Sequence, residues 1–229
     1  MIGMLTILIV FGAMLSALSW WQHRYQPNAE LVRKLFHLGM GVFALSFPLL
    51  LTALWQALLL CGVTLGLLLA LRRVEPLRRC FGAVLGNVQR CSHGELYFAL
   101  GVTALFCVAR HSLLLYSVPL LILTLADAAA ALVGQHLGRH RYRGLACAKS
   151  LEGSAAFFTC AAFSTASLLI LVAALPMAHA VLIAMVMALV LTMVEALAWR
   201  GLDNLLLPLS AYWWLNQLLY RTPAEVHFA

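Results

Sequence analysis

Long apolar runs separated by short polar patches make up most of the chain. A membrane-spanning helix needs about 20 mostly apolar residues, because the hydrocarbon core is about 30 Å thick and each helical residue rises about 1.5 Å. The runs Ile2–Trp21, Leu35–Leu51, Thr52–Leu71, Glu95–Ala109, Ser112–Gly134, Ser154–Leu175, Met177–Leu197 and Asp203–Tyr220 meet or approach that length. The pattern predicts an all-α polytopic membrane bundle of about eight transmembrane helices, forming one transmembrane domain over residues 1–229. Pro48 marks a break between the second and third runs, and Pro176 a tight connection between the sixth and seventh.

Composition supports this reading. The chain is 64% hydrophobic and 10% charged, against about 25% charged in soluble domains. A net charge of +7 would suit nucleic acid in a soluble protein. Here its distribution points to the bilayer instead. Of the 15 Lys and Arg residues, thirteen lie in connections after odd-numbered spans. Positive residues flank helices on the cytoplasmic side, so both termini are expected outside. The first span lacks a basic leader and an A-x-A site, and is expected to be a retained helix and not a signal peptide. The 6 cysteines form no C-x-x-C pair and predict no disulfide or zinc framework.

Against this apolar background each acid needs a reason. A carboxylate at the centre of a span costs about 2.5–3.5 kcal/mol on insertion scales, so such residues usually face a partner or a cavity. Asp127 lies inside the fifth span, and Ala131, Gly134 and Gly138 fall within roughly 40° of it around a helix. The stripe lets a nucleotide come close to the acid, or else forms a small-residue packing face. Downstream, Lys149 stands alone among arginines before Ser150-Leu151-Glu152-Gly153-Ser154. A lysine there suits phosphate, as does a helix N-terminus with free N–H groups. The alternative is an ordinary Ser150 cap. This is not a Walker A loop, which would need Gly at Arg143 and Ala148.

Further polar residues extend the list. Arg33 and His37 are i,i+4 on one helical face, with Lys34 beside them. Ser92 and Glu95 have capping-box spacing. Glu195 sits near the cytoplasmic end of the seventh span, and Asp203-Asn204 open the eighth a turn before Pro208. His136 and His140 have the spacing of a metal pair but lack an evident third zinc ligand.

Four of these segments, in order, carry a resemblance. Arg33-Lys34-Leu35-Phe36-His37 is similar to an R-K-x-x-H motif, and Asp127–Gly138 to D-x-x-A-x-x-x-G-x-x-x-G. Lys149–Ser154 is similar to a K-S-x-E-G-S turn, and Glu195 with Asp203-Asn204 and Pro208 to E…D-N-x-x-x-P. Together they resemble the CTP-dependent lipid-alcohol kinases (dolichol kinase, phytol kinase and the yeast-type diacylglycerol kinase), which share a superfamily with phosphatidate cytidylyltransferases. The chain departs from many relatives at Ala126, Ala131 and Gln135.

The resemblance implies CTP as phosphoryl donor, Mg²⁺ as cofactor, and a membrane lipid alcohol as acceptor at the cytoplasmic face. Asp127 is then expected to hold Mg²⁺ with Glu195 or Asp203 as a second ligand, since Mg²⁺ takes one or two carboxylates plus phosphate oxygens and water. Lys149, Ser150, Gly153 and Ser154 are expected at phosphate oxygens, with Gly134 and Gly138 admitting the nucleotide. Glu152 would orient these groups or act as base. Arg33, Lys34 and His37 would bind phosphate or steer the lipid hydroxyl, and Glu95 and Asn204 would support them. The partners expected are a nucleoside triphosphate, a lipid alcohol and the bilayer, with no nucleic acid. Two rival expectations are a CDP-lipid-forming cytidylyltransferase and a non-enzymatic transporter or packing protein.

Overall fold

The computed structural model describes residues 1–82, 84, 93–143 and 148–221. Ser92 of the capping-box spacing, Cys91 and Cys147 of the 6 cysteines, Arg90 of the basic connections and the acid Glu225 lie outside the described residues. The elements are α1 (Ile2–Tyr25), α2 (Ala29–Ala44), α3 (Phe47–Leu50), α4 (Leu54–Arg73), α5 (Glu75–Phe81), α6 (Gly94–Ala109) and α7 (Leu113–Leu121). A π-helical turn (Ile122–Ala126) joins α7 to α8 (Asp127–His136). Strands β1 (Arg141–Arg143) and β2 (Ala148–Ser150) lead to α9 (Leu151–Leu171), α10 (Met177–Leu197) and α11 (Asp203–Arg221).

The described residues are all-α apart from this antiparallel hairpin, in which Tyr142 pairs with Lys149. Among the described residues, five helical segments are long and apolar enough to cross a membrane: Ile2–Tyr25, Leu54–Arg73, Leu113–His136, Leu151–Leu171 and Met177–Leu197. Several apolar helices of this kind make a multi-pass membrane protein. The segment Leu113–His136 is the most enclosed of them, with 78% of its apolar window buried. Helices α2, α6, α9 and α11 pack against it.

Two helix starts differ from the hydrophobic pattern by three residues or more, each for a physical reason. The second helix starts at Ala29, six residues before the apolar run, because Asn28 caps it by accepting from Glu30 N at 2.9 Å. Arg33, Lys34 and His37 therefore lie within the helix. The sixth run starts at Leu151 and not at Ser154, because Ser150 Oγ accepts from Gly153 N at 3.1 Å and fixes the helix start. Hydropathy marks the greasy stretch, whereas a cap marks where the helix begins.

Lipid tails are as apolar as leucine, so helices inside a bilayer associate through close packing more than through a hydrophobic drive. Glycines mark the closest approaches. A Cβ at Gly41 of α2 would lie 2.2 Å from Thr124 Oγ1 in the π turn. One at Gly101 of α6 would lie 2.3 Å from the Asn204 carbonyl of α11. One at Gly3 of α1 would lie 2.0 Å from the Leu50 carbonyl of α3. The main core surrounds Phe106, Tyr116, Phe157 and Leu191, all fully buried. Tyr116 satisfies its hydroxyl by donating to the Ala44 carbonyl at 2.8 Å, tying α7 to the end of α2.

Candidate active site

The site is built where the central segment leaves α-helical geometry. Pro119 in α7 has no N–H to donate, and the hydrogen-bond ladder widens into the π turn three residues later. Asp127 N–H bonds to the Ile122 carbonyl, five residues back. Leu123 O thus loses its α-helical donor. His37 Nε2 supplies the replacement from α2 at 3.1 Å, reaching past Gly41's contact with Thr124.

The same widened turn aims Asp127 at α2. Lys34 Nζ lies 2.6 Å from Asp127 Oδ2, and His37 Nε2 lies 3.5 Å from the same oxygen. The side chains of Lys34 and Asp127 are only 8% and 9% exposed. Lys34 and His37 are i,i+3, one helical face, so both meet the acid together. Arg33, next along α2, is held by Glu30 through a paired contact, Arg33 Nε lying 3.1 Å from Glu30 Oε2.

A second pair stands beside the first. Lys149 Nζ on β2 lies 2.5 Å from Glu195 Oε1 on α10 and also donates to the Glu195 backbone carbonyl. Glu195 Oε2 is buried with no hydrogen-bond partner. Asp203 completes the group: it lies in the electrostatic field of Asp127, Lys34 and Lys149, and its Oδ1 accepts from Asn204 N at 3.0 Å. Asn204 Nδ2 donates to the Gly94 carbonyl at 3.0 Å, while its Oδ1 is buried and unpaired. Three acids and two lysines from α2, α8, β2, α10 and α11 thus form one charged cluster, in which Lys34, Asp127 and Glu195 are buried and Lys149 and Asp203 part-buried.

The glycines lie next to this cluster, and they face their own chain. A Cβ at Gly138 would sit 2.2 Å from the Gly134 carbonyl and 2.8 Å from Ser150 Oγ. One at Gly153 would sit 2.8 Å from the Ala130 carbonyl and 3.3 Å from Gly134 Cα. Gly134, Gly138 and Gly153 let α8 and α9 come close enough to bring Lys149 alongside Asp127's helix. The Gly153 N–H is satisfied by Ser150 Oγ.

Glu152 is placed outside the buried cluster. Its Oε1 lies 2.7 Å from His140 Nδ1 and accepts from His140 N at 3.1 Å, which clamps the hairpin to the start of α9. Ser154 Oγ meets Tyr142 OH at 2.7 Å and reinforces the same clamp. His140 is thereby engaged with Glu152, and no group of three His, Cys, Asp or Glu residues suited to a metal occurs among the described residues. Glu95 pairs with Arg72 at 2.6 Å, and His93 accepts from the same arginine at 2.9 Å.

Sequence reasoning missed the cavity beside the cluster. It is mostly apolar and lies among α1, α2, α4 and α6. Arg33, His37, Glu95 and Asn204 line its polar end. His37 belongs to both places: it contacts Asp127 on one side, packs edge-on against Phe98 at 4.7 Å, and lines the cavity. The signal in the sequence was the i,i+4,i+7 ridge Arg33, His37, Met40, which is polar at one end and apolar beyond.

Comparison with known proteins follows the same direction. No family model and no solved structure matches the chain. Over 191 residues it is 31% identical to the phytol kinase of Synechocystis sp., a match that covers 80% of this chain and 77% of that protein. With that identity over most of both chains, the protein belongs to the lipid-alcohol kinase family.

Proposed function

We propose that the protein transfers the γ-phosphoryl group of CTP to the hydroxyl of a membrane lipid alcohol at the cytoplasmic face. One observation carries this reading: a cluster of acids and lysines meets an apolar cavity at His37, which contacts Asp127 and lines the cavity. Phosphate chemistry and a greasy chain are brought within one side chain of each other. The Synechocystis relative is named a phytol kinase, which supports an isoprenoid-type alcohol as acceptor.

Phosphoryl transfer depends on positioning and charge neutralisation more than on covalent chemistry. Lys34 and Lys149 are the cations that phosphate oxygens would meet, each already held by an acid. The acids fit Mg²⁺, which needs only one or two carboxylates beside phosphate and water. Glu195 Oε2 is buried and unpaired, and Asp127 and Asp203 act on it electrostatically. Asp127, with Glu195 or Asp203, would hold the ion, which supplies neutralisation of charge on the transferred group. His37 donates Nε2–H to Leu123 O, so Nδ1 is left as an acceptor for the lipid hydroxyl proton. Glu152 is assigned to holding the hairpin that carries Lys149.

The eight-span topology with both termini outside belongs to the same proposal. The α2–α3 pair, α6 and α11 supply the three crossings beyond the five long helices. The acid cluster then shares the face of the basic connections, where nucleotide and Mg²⁺ are present.

The test uses purified protein in lipid nanodiscs with γ-labelled or α-labelled CTP, γ-labelled ATP, Mg²⁺ and a panel of lipid alcohols. Label moving from γ-CTP into the alcohol is the expected result. Transfer of α-label to phosphatidate with no labelled alcohol would identify a cytidylyltransferase instead. Absence of Mg²⁺-dependent CTP binding to the wild-type protein would identify a non-enzymatic membrane protein.

A further inference from the structure

The cavity has a shape that the cluster does not explain. Its walls come from two helix pairs, α1 with α2 and α4 with α6. Among the described residues the backbones of the two pairs stay apart while side chains such as His37 and Phe98 meet across them, so the cavity is a cleft between the pairs. At the polar end the two α4–α6 walls are joined by the Arg72–Glu95 ion pair. From there the lining becomes apolar through Phe11, Met40, Leu68 and Phe98 to Ala44 and Ala57.

The far end is closed by a structural device. The second helix breaks at Leu45-Ser46, and α3 turns across beneath α1. Gly3 permits this, since any Cβ there would collide with the Leu50 carbonyl. Phe47 and Leu51 thereby line the end of the cleft, with Phe47 braced edge-on by Phe43 at 6.2 Å. The lining runs from Gly94 to Phe106 on α6 and from Leu68 to Ala57 on α4. At about 1.5 Å per residue that is a depth of roughly 16–18 Å. Half of a hydrocarbon core about 30 Å thick is about 15 Å, so the cleft is one leaflet deep.

We infer that this cleft holds the hydrocarbon chain of the acceptor, that it accepts one chain about a leaflet long, and that Ala57 and Phe47 set the length it takes. The inference rests on the lipid-alcohol kinase reading for the identity of the head group. The polar end places a hydroxyl at His37, and the apolar shaft runs from it to the α3 floor. A chain much longer than a leaflet meets Phe47.

Two substitutions act in opposite directions. Ala57→Phe fills the far end and is expected to lower kcat/KM at least tenfold for geranylgeraniol and phytol while leaving farnesol within about twofold. Phe47→Ala removes the floor and is expected to raise kcat/KM for longer polyprenols relative to phytol. Thermal unfolding of each variant, compared with the wild-type protein, shows that it folds. An independent readout uses an alcohol carrying a photoreactive diazirine at its tail, with labelled peptides mapped by mass spectrometry. Labelling at Phe47–Cys61 supports the inference. Labelling confined to the outward faces of α1 and α4, or equal loss for all chain lengths in both variants, overturns it. If the wild-type protein phosphorylates no alcohol but the tail label maps to Phe47–Cys61, the chain site stands and the kinase reading fails.

Discussion

Lys34 Nζ lies 2.6 Å from Asp127 Oδ2, joining two buried residues that are 93 positions apart in the chain. Removing one partner of a buried ion pair leaves an uncompensated charge, at a cost of about 3–5 kcal/mol. Lys34→Met and Asp127→Leu are each expected to lower thermal stability by that order and to abolish alcohol phosphorylation. The double variant is expected to recover most of the stability and none of the activity. Thermal unfolding and label transfer, measured on all three proteins, separate the structural part of the pair from the catalytic part. Recovery of activity in the double variant would remove both residues from the chemistry.

Glu195 offers the buried, unpaired carboxylate oxygen of the cluster. If it is a ligand to Mg²⁺, Glu195→Gln keeps the shape and weakens the ion. The Mg²⁺ concentration for half-maximal activity is expected to rise by about tenfold or more, as loss of support for a metal typically does. An unchanged Mg²⁺ titration with reduced kcat would leave Glu195 as the residue that positions Lys149 and nothing more.

His37 joins the charged cluster to the cavity. His37→Asn retains a donor toward Leu123 O but loses the basic ring nitrogen. General-base catalysis contributes about 10²–10⁴-fold, and kcat is expected to fall within that range. Mg²⁺-dependent CTP binding is expected to persist. Loss of CTP binding in this variant would place His37 on the nucleotide side and not at the acceptor.

Glu152 and His140 are bonded to each other at the mouth of the hairpin. If Glu152 only clamps the hairpin, Glu152→Ala, His140→Ala and the double variant should lose activity to the same modest extent. A Glu152→Ala loss more than about tenfold beyond that of His140→Ala would make Glu152 a catalytic group in its own right.

Gly138 and Gly12 test the packing argument. A Cβ at Gly138 meets the Gly134 carbonyl at 2.2 Å, whereas one at Gly12 meets nothing within 4 Å. Overpacking costs about 1–3 kcal/mol, so Gly138→Ala should lower the melting temperature and Gly12→Ala should not. Equal melting temperatures would mean that the α8–α9 approach yields easily.

Much of the fold was readable because a bilayer imposes length and apolarity on every crossing. The Met177–Leu197 run became α10 with the same bounds. Asp127 announced itself because an acid in an apolar run demands a partner. Its partner was not readable. Lys34 and Arg33 are adjacent cations on one helix, and only the crossing of α2 over the π turn at Gly41 selects Lys34 for Asp127 and leaves Arg33 to Glu30.

The sequence by itself determined a helical membrane protein and singled out the charged segments that interrupt its apolar runs. Those features depend on local composition and on spacing along one helix. Tertiary structure alone decided which charges meet, that Gly134, Gly138 and Gly153 serve the α8–α9 approach, and that a leaflet-deep cleft opens beside His37. The physical reason is separation along the chain. Pairing across helices depends on crossing points set by close packing, and neither hydropathy nor periodicity along a single helix encodes where two helices cross.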